Sequence, residues 1–113
     1  MKIVINTCFG GFGLSDEAVR LYGQLAGITL VEAVVDYGQN HFYVDSIDDG
    51  NYFSYYDISR ADGFLIEAVE TLGNAASGKY AKLKVVEIPD DVEWQIAEYD
   101  GSEHIAEKHR TWS

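Results

Sequence analysis

The chain is poor in the residues that announce chemistry. It has one cysteine, Cys8, one proline, Pro89, one methionine and only three arginines, Arg20, Arg60 and Arg110, in 113 residues. A single cysteine excludes an intramolecular disulfide and a cysteine-based zinc cage. No apolar run is long enough to span a bilayer, and Lys2 leads into a strand-like segment rather than a signal peptide, so the expected compartment is the cytoplasm. Positive charge is scarce: eight Lys and Arg stand against nineteen Asp and Glu, a net charge of −11. That balance repels nucleic-acid phosphates and anionic lipid, and it argues against DNA, RNA or a membrane as partner.

What is present describes a soluble globule of one domain, residues 1–113. Hydrophobic residues make up 47% and charged residues 24%, which is enough apolar surface for one core without staples. Eight tyrosines and five phenylalanines exceed ordinary core needs and favour interfaces or base stacking, although core packing takes most aromatics.

Local signals predict an α+β fold, two helices packed on a mostly antiparallel sheet. Ile3, Val4 and Ile5 form a short apolar strand that Gly10, Gly11 and Gly13 break. Ser15 fits a helix N-cap with Asp16 and Glu17 in the first turn; Ala18, Leu21, Tyr22 and Leu25 recur at helical spacing, and Gly27 stops the helix. Residues 28–35 read as a second strand. Between Asp36 and Arg60, turn chemistry at 38–40 and 48–51 separates aromatic strands, one of them over 52–56, which predicts a hairpin packed against something, with another subunit as one candidate. Asp62 caps a second helix with Leu65, Val69, Leu72 and Ala76 along one stripe, ending at Gly78. Residues 83–88 form a strand terminated by Pro89. Val92, Trp94 and Ile96 alternate in another, and Asp100-Gly101 is a two-residue hairpin signal leading to a last strand or short helix.

The glycine turn, Cys8-Phe9-Gly10-Gly11-Phe12-Gly13, stands between a strand and a capped helix, where backbone N–H groups and a positive helix end can hold an anion. The spacing matches neither the dinucleotide fingerprint nor the phosphate-binding loop. The plainer alternative is a tight turn whose Phe9 and Phe12 plug the core. Cys8 has no assignable base and reads as a small buried residue. In so acidic a chain each arginine has a salt bridge as its default. Arg110 differs because it sits in Lys108-His109-Arg110-Thr111-Trp112, where cations flank a hydroxyl and a large π face; the alternative there is Trp112 anchoring the C-terminus under Arg110. His104 and His109 are five residues apart and lack a third ligand, so no metal site is expected. The acidic group Asp90, Asp91 and Glu93 brackets a turn. No triad or acid–base pair is legible, and no enzymatic activity or cofactor is expected.

Three segments together, KIVINTCFGGFGLSDEA, LKVVEIPDDVEWQIAEYDG and EKHRTW, with the helix over Leu65–Gly78, resemble a widespread set of small phage and prophage proteins. The stretch from Asp36 to Asp57 lies outside this likeness. The set is associated with the first Thoeris anti-defence family, which sequesters cyclic ADP-ribose signals made by bacterial immune enzymes. The resemblance implies a non-catalytic sponge, a homo-oligomer with pockets shared between subunits, and a small cyclic nucleotide ligand carrying two phosphates and adenine. It transfers no binding residue. Chemistry alone nominates Arg60 and Arg110 as phosphate partners, Phe9 or Trp112 as the stacking face, and the backbone of Gly10, Gly11 and Gly13 as anion cradle. The acidity of the chain opposes a dianionic ligand unless its cations are concentrated locally. The same acidity supports a rival expectation, a nucleic-acid mimic that occupies a basic groove in a host or CRISPR-type effector protein.

Overall fold

A computed structural model describes residues 1–47 and 51–107. In chain order these form β1 (Lys2–Asn6), α1 (Asp16–Ala26), β2 (Leu30–Ala33), β3 (His41–Val44), a 3-10 turn at Tyr55–Asp57, α2 (Gly63–Leu72), a second 3-10 turn at Gly73–Ala76, β4 (Leu83–Glu87), β5 (Trp94–Tyr99) and β6 (Ser102–Glu107). The fold is α+β. Among the described residues the strands pair as three two-stranded antiparallel sheets, β1–β4, β2–β3 and β5–β6.

The helices start and stop where local chemistry dictates. The Ser15 hydroxyl accepts from the Ala18 N–H at the head of α1. At its tail Gly27 adopts φ 72°, its N–H reaches the Gln24 carbonyl and the Ile28 N–H reaches the Gly23 carbonyl, a Schellman closure. That closure commits Ile28 to the helix end, and β2 therefore begins only at Leu30. The Asp62 carboxylate accepts from the Phe64 and Leu65 N–H groups and caps α2. Gly78 does not end that helix. Gly73, at φ 58°, turns the chain after Leu72, and Gly78 lies instead against the backbone of Gly13.

The aromatic segment keeps only part of the expected hairpin: residues 42–44 meet 51–53 in antiparallel fashion, with the Val44 N–H on the Asn51 carbonyl, and the pairing stops before 54–56. Strand β3 pairs with β2, in the register Leu30 to Val44 and Ala33 to His41. Tyr52 makes a single bridge to Tyr43, and the Phe53 N–H bonds to the Phe42 carbonyl. The Ser54 hydroxyl then accepts from the Tyr56 N–H and bends the chain into a 3-10 turn. A side chain that bonds its own backbone two residues on competes with a ladder, and here it prevails. Val92 likewise sits before β5, its N–H held by the Pro89 carbonyl. Asp100 and Gly101, at φ 50° and 88°, close the β5–β6 hairpin with the two left-handed residues that a type I′ turn requires.

The main core gathers Val4 with Phe12, Leu14, Ala18, Val19, Tyr22, Phe42, Leu65, Val69 and Ala76. In α1 the buried side is Ala18, Val19 and Tyr22, with Gly23 allowing close approach; a Cβ there would stand 2.7 Å from the Leu30 side chain. Strand alternation sends Ile3 and Ile5 to the opposite face of β1 from Val4. Both are buried, and β6 packs against β1. Strand β1 is thus enclosed on both faces, which explains its unbroken apolar run.

Candidate functional site

Three backbone segments converge at the C-terminal end of β1. A Cβ on Gly10 would stand 2.1 Å from the Tyr80 carbonyl oxygen, and one on Gly101 would stand 2.5 Å from the Phe9 carbonyl oxygen. The Gly78 N–H donates to the Gly13 carbonyl at 2.9 Å. Only glycine permits chains to touch at these separations. Gly11, at φ 90°, faces open space and serves the turn itself.

Asn6 ties these segments together from below. Its Nδ2 donates to the carbonyls of Cys8 and Gly101, and its Oδ1 accepts from the N–H groups of Cys8 and Lys82. Its own N–H donates to Glu103 Oε1 at 2.8 Å. The side-chain amide of Asn6 and its backbone N–H are therefore satisfied, as burial demands. The sequence reading passed over Asn6, although a polar residue closing an apolar strand was a usable signal.

The turn opens onto a cleft of about 500 Å³. Gly10, Gly11, Phe12 and Gly13 form one wall, Gly78, Lys79 and Tyr80 a second, and Gln39, Tyr55 and Tyr56 a third. Among the described residues that line it, Lys79 is the one cation and Asp16 the one carboxylate. The Lys79 ammonium lies 5.4 Å from the centre of the Tyr80 ring. Tyr55 and Tyr56 lie 4.6 Å apart at a 41° tilt, and Phe12 meets Tyr55 edge-on at 6.0 Å. Burial, then the neighbouring Tyr56, pushes the Tyr55 phenol up from its ordinary value, so it stays protonated and donates to Gln39 Oε1. The Gln39 amide in turn donates to the Leu14 carbonyl.

The sequence-nominated residues divide sharply. Gly10, Gly11 and Gly13 line the cleft. Phe9 does not: the turn at Gly10 and Gly11 swings its ring outward, 69% exposed, while Phe12 goes inward at 7%. The expectation that both phenylalanines plug the core holds for Phe12 alone, and the Phe9 ring does not form a wall. The helix N-terminus beside the turn is already served by Ser15, and Asp16 sits at its entrance with the Asn40 N–H near its carboxylate. One free N–H of that helix end, that of Ala18, is thus met by the chain's own hydroxyl, and the Asp16 carboxylate adds negative charge beside it.

Arg60 is engaged elsewhere. Its Nη1 and Nη2 form a two-pronged pair with Glu103 at 2.6 and 2.9 Å, and Nη1 also donates to the Val4 carbonyl. The guanidinium carbon stands 3.6 Å from the centre of the Phe12 ring. The side chain supports the cleft from behind Phe12 and does not offer its fork to a phosphate. Arg20 is paired as well, with both oxygens of Glu32. Arg110 and Trp112 lie outside the described residues, as do Lys108 and His109. Cys8 is half-buried. Among the described residues no group of three His, Cys, Asp or Glu could hold a metal ion, and no helix is long and apolar enough to cross a membrane.

Compared with known proteins, the chain matches no family model, no curated protein and no solved structure.

Proposed function

We propose that the chain binds a small nucleotide in the glycine-turn cleft and holds it without converting it. The observation that carries this reading is the cleft's lining: tyrosine rings on two sides, glycine backbone on a third, and one lysine. A volume of about 500 Å³ falls within the range of about 300–1,000 Å³ common to small-molecule sites. Stacking between a base and an aromatic ring contributes about 1–3 kcal/mol, and tyrosine rings supply it without a net charge. With Arg60 and Arg20 engaged by carboxylates, Lys79 is the described cation in position to meet a phosphate. The resemblance set out above gives the ligand its class, a cyclic ADP-ribose type immune signal, and gives the protein its role, a phage anti-defence sponge that works as a homo-oligomer.

The test is co-expression with an active cyclic ADP-ribose synthase, followed by purification, heat denaturation and mass spectrometry of the released small molecules. The expected result is unmodified signal at a ratio near one per cleft. A hydrolysed product, or an extract free of nucleotide, overturns the reading. Tyr80→Ala and Lys79→Ala, both at exposed positions, should each reduce the recovered ligand about tenfold, the order of one stacking or charge-assisted contact.

A further inference from the structure

A second groove of about 480 Å³ adjoins the cleft, separated from it by the ledge of Tyr55 and Tyr56, and extends toward Tyr37 and Tyr52. Its composition is unusual for this protein. Charged residues make up 24% of the chain, yet none of the ten residues lining the groove is Asp, Glu, Lys or Arg. Three of its rings face solvent: Tyr37 is 92% exposed, Tyr56 69% and Tyr52 58%.

The backbone that carries Tyr37 is tethered, and the Tyr52 ring is held by neighbouring rings. Tyr37 stands on a loop that the Asn40 and Gln39 amides hold at both ends. Asn40 Oδ1 accepts from the Val35 N–H, its Nδ2 donates to Glu32, and Gln39 donates to the Leu14 carbonyl. Tyr52 is clasped edge-on by His41 at 5.8 Å and by Tyr43 at 5.7 Å. A tethered loop that holds an aromatic ring in water presents the ring at little further entropic cost on binding.

We infer that this groove binds a neutral saccharide. An anionic ligand would find no cation among the described lining residues and a net charge of −11 on the chain. A cationic ligand would find no carboxylate among the described lining residues, and the neighbouring Asp16 and Glu32 are engaged by the Asn40 amides and by Arg20. A purely apolar ligand would cover the phenols of Tyr37 and Tyr52 and the imidazole of His41 without giving them hydrogen-bond partners, which is costly. A pyranose answers each requirement, because its C–H face lies on an aromatic ring while its hydroxyls bond to the phenols and His41. The groove and the cleft share Gln39, Tyr55 and Tyr56, and variants at Tyr37 and at Tyr80, each lining one of them alone, tell the two ligands apart.

The test is calorimetric and NMR titration of the whole chain with maltohexaose, cellohexaose and chitohexaose, with adenosine and decaproline as competing probes. At least one hexasaccharide should bind, with a Kd on the order of 1 mM or tighter. Tyr37→Ala and Tyr52→Ala should each weaken it about three- to tenfold, whereas Tyr37→Phe should keep it within about twofold. Tyr80→Ala, in the other cleft, should leave sugar binding unchanged. Tyr37 makes the decisive variant, because a ring 92% exposed can be truncated without unfolding the chain. No sugar binding, sugar binding indifferent to Tyr37→Ala, or displacement of the sugar by decaproline or adenosine at that ring would overturn the inference.

Discussion

Arg60 shows how one side chain can be read for function and turn out to hold the fold. Its pair with Glu103 is mostly buried, and it joins the segment before α2 to β6 while its flat face covers Phe12. Removing one partner from such a pair leaves a charge stranded in low dielectric, which costs about 3–5 kcal/mol. Arg60→Ala and Glu103→Ala should therefore each lower the unfolding free energy by about that amount in urea titrations. The double replacement Arg60→Met with Glu103→Leu should lose less than either single change, because it strands no charge. Additive losses would mean that the two side chains act independently. At Gly10, a methyl group meets the Tyr80 carbonyl at 2.1 Å. Gly10→Ala should cost about 1–3 kcal/mol by the same assay, the usual range for overpacking a tight site, whereas Gly63→Ala, where a Cβ meets open space, should be neutral or mildly stabilising.

At the scale of elements, the chemistry that acts over a few residues was legible. Ser15 and Asp62 cap the helices, Gly27 closes α1, and Asp100-Gly101 turns the hairpin, each through a bond to a near neighbour in sequence. Asp62→Ala should accordingly destabilise by about 1 kcal/mol, as the loss of a helix cap does. The aromatic segment misled because alternation between Tyr52 and Tyr56 satisfies a strand pattern, while the decisive group is the Ser54 hydroxyl, which gives no periodic signal. Of the site, the glycine turn was legible and its partners were not. Tyr80, Tyr55 and Gln39 reach the turn from far along the chain, and nothing local marks them.

The β2–β3 sheet meets α1 through an ion pair whose titration offers an independent check. Hydrogen bonding from Arg20, then from Asn40, holds the Glu32 carboxyl down at about 2. A folded value below the unfolded one means stability that is fully present above the unfolded value and lost as pH falls toward the folded one. Glu32→Gln should thus lower the melting temperature near neutral pH, and its gap from the parent chain should close between about pH 5 and about pH 2. The effect should be small and salt-sensitive because Arg20 is half exposed. A gap unchanged across that range would show that the Glu32 charge contributes nothing.

At the scale of the molecule, the negative charge and the tyrosines act together. Carboxylates pair with Arg60 and Arg20, and among the described residues the linings of the cleft and the groove are aromatic and amide-bearing, with Lys79 as their cation. On the proposed function, binding proceeds by stacking and backbone contact at the glycine turn. The most direct measurement is amide chemical-shift mapping of the isotope-labelled chain during titration with cyclic ADP-ribose. Shifts concentrated at Gly10, Gly11, Gly13, Gly78 and Tyr80 are the predicted result. Saturable shifts confined to other residues, or none at ligand concentrations on the order of 1 mM, would contradict it.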